Sequence, residues 1–495
     1  MPARPVLAPL LIGVVLASCT VGPNFTPPSP PTDQAYDAAH ATPPPVAGEP
    51  AQRFAIGQRI AGDWWMLYRS PALDTVLTQA IGRNRDLAAA RANLASAQEI
   101  VVAARGSLFP QVDFTASAER EKVSYAAFGL KQPPATFNVF SVGPMVSYSL
   151  DPFGRNRRLV EEQQAQADVE RYQLTAAYLA VTGNAVTDAI GIAAINAQIA
   201  AVDDVVADDR NLLALVQRSV EAGGATDLDV ESARSQLAAD RTLLPPLQQR
   251  LSTARHVLTV LVAETPGTWT PPDFTLDSLV LPADIPVSLP SALVRQRPDI
   301  LAAEAELHAA SAAVGVATAQ LYPDITLTAA VEQIGLAPHT LLTAGDNVWN
   351  FGAGVTAPLF HGGALRAQER AAEDNFNSAR AVYQQVVLQS FAQVADALDS
   401  LANNTRLLGE QRAALDSSRR SLELTRRAYE AGDVALLQVL DASRLYSRAR
   451  LGYAQAEAQR YIDTAQLFLA MGGGWWERGD LSQAGAQPNQ PLVRQ

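Results

Sequence analysis

Cys19 is the only thiol in this 495-residue chain, and its setting defines its chemistry. Arg4 precedes an apolar run over residues 6–17, and Leu16-Ala17-Ser18 lead into the cysteine. Small residues before a cysteine, directly after a signal-type apolar core, form a lipobox, so cleavage before Cys19 and acylation of its thiol are expected. The alternative is an ordinary signal peptide with an incidental cysteine. The run is too short to span a bilayer. Bond-making chemistry finds little support elsewhere. The histidines (His40, His256, His308, His339 and His361) are scattered without ligand spacing, so no metal site is expected. Gly472-Gly473-Gly474 lacks the Lys-Ser/Thr of a phosphate loop. No catalytic residue is expected, and no cofactor beyond the covalent lipid on Cys19.

The remaining chemistry is electrostatic. Asp227 and Asp229 follow one predicted turn, and Asp441 follows another. Repeated around a symmetry axis, such carboxylates would form rings that attract cations and repel anions. Simpler roles stay open: Asp227 also fits a helix N-cap, and Asp441 fits a surface pair with Arg444.

The elements that must carry these groups occur twice. Residues 86–118 align without a gap on 299–331, with 12 identities in 33 positions, six of them alanine. More telling, Leu108-Phe109-Pro110 falls on Leu321-Tyr322-Pro323, where an Ala-rich helical stretch gives way to alternation. Glu221-Ala222-Gly223 likewise falls on Glu430-Ala431-Gly432. One architecture is used twice. No proline lies between Phe153 and Leu244, or from Leu359 to Gln487, so both windows are expected to be long helices. In the first, from Leu174 to Val220, apolar residues recur at alternating spacings of four and three, interrupted only by Asp188 and Asp209. That is a coiled-coil seam of period 3.5. The second seam, from Phe391 to Tyr429, is weaker. A helix over about residues 155–220 would be roughly 100 Å long. No unbroken apolar run reaches 18 residues, so these helices are expected in water. Gly223 and Gly432 mark the turns, with returning helices over about 227–263 and 434–471. Pro245-Pro246 should break the first of these.

Four segments alternate instead. Val112, Phe114, Ala116 and Ala118 share one face; so do the even positions 140–150, the odd positions 325–331 and the odd positions 349–359. Each is apolar on one side and small or polar on the other, with aromatics near the ends, the signature of a barrel strand lining a wet lumen. Four strands cannot close a barrel, and open edges are forbidden in lipid. Three copies would supply about twelve strands. The chain is therefore expected to be mainly α with a small β part: long antiparallel coiled-coil hairpins plus four membrane strands per chain in a shared trimeric β-barrel. Its boundaries are a signal peptide (1–18), a lipid-anchored Pro-rich segment (19–62), repeat 1 (63–265), a Pro-rich linker (266–290), repeat 2 (291–472) and a polar tail (473–495). The net charge of −12 disfavours nucleic acid as a partner. The basic residues are almost all arginine; the only lysines, Lys122 and Lys131, share one predicted loop.

Several motifs carry a resemblance. Cys19-Thr20-Val21-Gly22-Pro23-Asn24-Phe25 resembles the start of TolC-like outer membrane factors of the lipoprotein (NodT/OprM) branch. Trp64-Trp65 with Pro71-Ala72-Leu73-Asp74, Arg297-Pro298-Asp299-Ile300 with Ala303-Glu304 and Leu307, and Gly432 with Val439-Leu440-Asp441-Ala442 and Arg444 resemble later signatures of that family. Arg85 departs from its usual proline, which bears on a helix start. The resemblance implies a homotrimeric exit duct of a tripartite efflux system in the outer membrane of a Gram-negative bacterium. Its partners would be outer membrane lipid, a periplasmic adaptor protein and an inner-membrane transporter, of the proton-driven RND type. Thr20 after the cysteine favours outer membrane sorting. The resemblance also implies a periplasmic gate: Asp441 as a constriction aspartate, Leu437 as a hydrophobic gate, Asp229 as the acid of the first hairpin, and Gln438 where relatives carry another acid. Tyr429 would close the tip. Rivals are a type I protein-secretion duct, which the same channel would serve, and a lipid-anchored scaffold without a pore.

Overall fold

The computed structural model describes residues 20–32, 35–36, 43–129, 131–341 and 347–478. Cys19, the signal segment, His40 and most of the polar tail lie outside the described residues. In chain order the elements are β1 (Arg53–Ile56), α1 (Pro71–Arg83), α2 (Arg85–Gly106), β2 (Gln111–Val123), β3 (Ala135–Ser149), α3 (Arg155–Glu221), α4 (Asp227–Arg241), α5 (Leu244–Leu261), β4 (Asp284–Val287), α6 (Pro298–Ala319), β5 (Asp324–Gly335), β6 (Asn347–Thr356), α7 (Ala364–Glu430) and α8 (Leu436–Ala470). The repeat is visible in lengths alone. Helices α2 and α6 have 22 residues each, and α3 and α7 have 67 each.

The chain divides into two compact units. One comprises residues 20–28, 94–170 and 303–383 among those described, and holds the sheet. Its strands run in the order β2-β3-β5-β6, all neighbours antiparallel. They extend two to five residues beyond the alternating segments at one end, and β3 and β6 stop one and three residues short of them at the other. The N-terminal stretch is pinned beneath them. Val21 N–H donates to the Phe153 carbonyl at 3.1 Å. The buried Arg158 guanidinium bonds the Val21 and Gly22 carbonyls, Asn24 Oδ1 and Glu161. Phe25 stacks on His308, whose Nε2 lies 3.0 Å from Glu161. At Gly22 (φ +87°) a Cβ would stand 2.4 Å from the Gly315 Cα, so only glycine fits. His308 thus serves packing.

The other unit holds residues 35–36, 43–93, 171–302 and 384–478 of those described. Its long helices turn as the glycines require. Gly223 and Gly432 have φ of +76° and +82°, and the N–H groups of Gly224 and Asp433 return to the Ser219 and Ala428 carbonyls. Pro245-Pro246 stop α4 and restart α5, sitting in its first turn where no N–H is needed. Asn84 compensates for Arg85: its Oδ1 accepts from the N–H groups of Asp86 and Leu87 and so caps α2. The seam of α3 is buried at Leu174, Tyr178, Val181, Ile192, Val202 and Val216. The weaker seam of α7 is completed by polar partners: Thr405 bonds the Leu401 carbonyl, and Arg412 pairs with Glu49 at 2.7 Å.

Three expectations need correction. Windows of α3 and α6 are long and apolar enough to cross a bilayer. The α3 window is 61% buried within the chain as seam and core, the α6 window 44%, and Ala, Gly and Thr dilute any unbroken run. The Pro-rich segments are also less independent than composition suggests: β1 pairs in parallel with β4 inside the expected linker. Gln52 accepts from the buried Arg460 at 2.8 Å and donates to Thr464, fixing the strap to α8. Finally, Thr226 caps α4 in place of Asp227.

Arg297 explains the most recognisable motif. Its guanidinium grips Asp299 with two bonds (3.0 and 2.7 Å) and reaches the Ala470 carbonyl and Gln393. It therefore ties the start of α6 to α7 and to the end of α8. Arg297→Ala should cost about 2 kcal/mol, the usual penalty for losing charge-assisted hydrogen bonds to a partly exposed carboxylate and to groups buried beside it. Arg297→Lys should recover less than half, since an ammonium cannot supply the fork. Chemical unfolding of the detergent-solubilised protein checks both.

Candidate functional site

The sheet segregates its side chains cleanly. Across the four strands, Phe114 stands in the row of Pro144, Val331 and Trp349, and Val112 in that of Val146, Ala329 and Phe351. The opposite face carries Ser117 against Ser141 (2.9 Å between hydroxyls), and Thr326 and Thr328 against Gly354 and Gly352. The apolar face lies bare: Phe114 is 73% exposed, and Trp349 and Phe351 are each 72% exposed. Edge strands β2 and β6 each present a row of unused backbone N–H and C=O groups on one side. Such a face and such edges together require lipid outside and further strands alongside.

At the hairpin turns, Leu436, Val439 and Leu440 pack inward against Leu212, Val216 and Leu422. This forces the other face of α8 outward. Leu437 (64% exposed), Gln438 and Asp441 lie there together, with Leu437 and Asp441 one turn apart. Asp441 pairs with Arg444 at 3.3 Å, the surface partner its sequence suggested. Asp229 is not available as a free carboxylate. It is the N3 partner in the α4 capping box, accepting from Thr226 N–H at 2.9 Å and from its hydroxyl at 2.8 Å. Tyr429 packs within its own chain against the same core, and burial raises its hydroxyl pKa, with Asp229 adding to the effect. Leu437, Gln438 and Asp441 thus share a surface, while Asp229 and Tyr429 support the turns.

A polar network behind that surface escaped sequence reasoning. Arg444 Nε donates to Gln236 Oε1 at 2.7 Å, and Gln236 Nε2 donates to Asp240 at 2.8 Å. Asp240 lies beside Asp209, whose Oδ1 accepts from Ser443 at 3.4 Å. Asp209 is only 2% exposed and faces neither a tunnel nor bulk water. Burial first, and Asp240 beside it, push its pKa up to about 7 against the lowering effects of Ser443 and Arg426. The network's one signal in sequence was the interruption of the seam at Asp209. Asp188, the other interruption, is half-buried, and burial raises its pKa to about 6.

A strand quartet greasy on one face and small or polar on the other, continued by paired helical hairpins, defines a subunit of a membrane channel. The comparisons with known proteins give the particular kind. A model of the outer membrane efflux protein family matches residues 76–264 and 289–473. The pyoverdine export outer membrane protein OpmQ of Pseudomonas aeruginosa is 30% identical over 428 residues, spanning 85% of this chain and 90% of that protein. The cation efflux system protein CusC of Escherichia coli (strain K12) is 27% identical over 472 residues, 94% of this chain and 99% of that protein. In three dimensions the chain is similar to the outer-membrane channel OprN, with a TM-score of 0.84 and 27% identity over 92% of this chain and 100% of that one. The chain belongs to the outer membrane efflux protein family, and it is an outer-membrane channel of the tripartite efflux type.

The proton held by Asp209 gives a pH signature. A carboxyl whose folded pKa is raised contributes stability that is fully present below pH 4 and lost as pH rises through about 7. Asp209→Asn should therefore gain about 2 kcal/mol relative to wild type between pH 5 and pH 8. Unfolding midpoints of the two proteins across that range check it; parallel curves would contradict it.

Proposed function

We propose that three copies of this chain pair their sheet edges, β2 of one with β6 of the next, into a twelve-stranded barrel in the outer membrane. The single observation that carries this is the sheet itself: four strands, two open edges and one bare apolar face. Each copy adds α3 with α4 and α5, and α7 with α8, to a helical conduit in the periplasm. Acylated Cys19 adds a lipid anchor. Thr20 and Val21 support that placement, since they lie against Gly154 and Phe153 at the foot of β3.

The duct takes small solutes from a periplasmic adaptor and an inner-membrane transporter of the proton-driven RND type. It contributes no energy of its own. The relatives named for pyoverdine export and cation efflux support a small-solute cargo over a polypeptide. Leu437 and Asp441 form the periplasmic constriction. Three copies of the outward face of α8 would place three leucines and three carboxylates about one axis, an apolar plug beside an anionic ring. Gln438, uncharged, leaves that ring with one carboxylate per chain from this turn. Asp229 and Tyr429 belong to the gate as its supports, holding the turns from which the constriction projects.

Replacing Leu437 and Asp441 with Ala and Asn should raise single-channel conductance in planar bilayers several-fold and weaken cation preference. Asp229→Ala, which removes only the N3 side of the capping box, should instead lower stability by about 1 kcal/mol and leave ion preference alone. Unchanged conductance in the Leu437/Asp441 variant would remove both from the gate.

A further inference from the structure

The residues 119–122, Glu-Arg-Glu-Lys, sit where the apolar face of the sheet ends. Their alternation sorts charge by face. Arg120 and Lys122 share the parity of Phe114 and Ala118, the bare apolar face. Glu119 and Glu121 share the parity of Thr115 and Ser117, the small and polar face. All four are exposed.

Their height follows from the register. The apolar band runs along β3 from Leu150, whose N–H bonds the Ile325 carbonyl, to Phe140, paired with Ala118. That stretch spans roughly 33 Å along the strand. At a tilt of about 40° it stands about 25 Å tall, the height of an outward apolar band in a membrane barrel. Arg120 pairs with Asn138 and Lys122 with Thr136, two and four residues past the top of the band. They therefore stand about 5 and 10 Å above the hydrocarbon, at the depth of lipid headgroups. This is the outer end of the sheet: the opposite strand ends continue into α2 and α3, whereas β2 and β3 are joined here by residues 124–134. Lys131 lies in that connection and is exposed, so both lysines of the chain are at this end.

From this placement we infer that Arg120 and Lys122 form a cationic collar that binds phosphorylated lipid headgroups of the outer leaflet, while Glu119 and Glu121 face the pore mouth. The inference rests on the barrel reading. Charge complementarity and continuity with the lipid-facing band favour a lipid phosphate as the occupant. Arginine supplies a fork for a phosphate and lysine a compact charge. The collar would fix the depth of the barrel on its outer side, opposite the Cys19 lipid.

Native mass spectrometry of the detergent-extracted oligomer, titrated with bis-phosphorylated lipid A or its dephosphorylated form, tests it. The wild type should retain the phosphorylated form and not the other. Arg120→Gln/Lys122→Gln should bind it roughly 25-fold less, about five-fold per cation. Glu119→Gln/Glu121→Gln should bind it as the wild type does and weaken cation preference in bilayers. A second arm needs no variant to fold. Acetylation of the folded wild type removes charge at Lys122 and Lys131, whereas reductive methylation keeps it, so only acetylation should lower retention. Equal retention by the wild type, the Arg120/Lys122 variant and the acetylated protein would overturn the collar, as would equal binding of both lipid forms. Failure of the unmodified protein to form oligomers or conduct ions would overturn the barrel reading itself, and the collar with it.

Discussion

An unpaired backbone amide cannot be left in hydrocarbon, and this constraint governs the molecule. The sheet has four strands, and its apolar side chains face away from any core of its own. In water that face and the β2 and β6 edges would invite aggregation. In a bilayer, beside the copies proposed above, they would become a wall. The helical part obeys the opposite rule. The apolar window of α3 is mostly buried against its neighbours, so a segment that resembles a membrane span by length and composition serves as a seam.

Duplication gives the chain a framework, and polar anchors distinguish its halves. Arg158 holds the N-terminal stretch at the foot of the sheet. Arg297 ties α6 to α7 and α8. Arg460 holds the strap that carries β1. Each guanidinium makes two or more bonds at once, in a fork that an ammonium could not reproduce. The near absence of lysine makes sense in these interior roles, and the two lysines that occur are at the exposed outer end of the sheet.

Much of this was legible in the sequence because it depends on period and punctuation. The 3.5-residue seam and the lack of proline gave α3 to within a residue, and Gly223 and Gly432 marked both turns. Period-2 alternation located β2, β3, β5 and β6. The β1–β4 pair was invisible, since four residues on each strand carry no pattern and their partners lie 231 residues apart. The site divided similarly. Leu437 and Asp441 could be placed on one helix face from their spacing. The engagement of Asp229 in a cap depended on Thr226, three residues earlier, and the Asp209–Asp240–Gln236–Arg444 chain crosses three helices that no local signal connects. Tyr429 completes a core seam, a role its position in the heptad already allowed.

The central claim is that the two sheet edges are joined between copies. Cys19 is the only native cysteine, so a small panel of pairs, one cysteine introduced on β2 and another on β6, can be oxidised in isolated outer membranes. The account predicts covalent species that stop at three chains, each link joining β2 of one copy to β6 of the next, and appearing only when both strands carry a thiol. Links between two β2 strands, ladders extending past three, or monomers alone would contradict it.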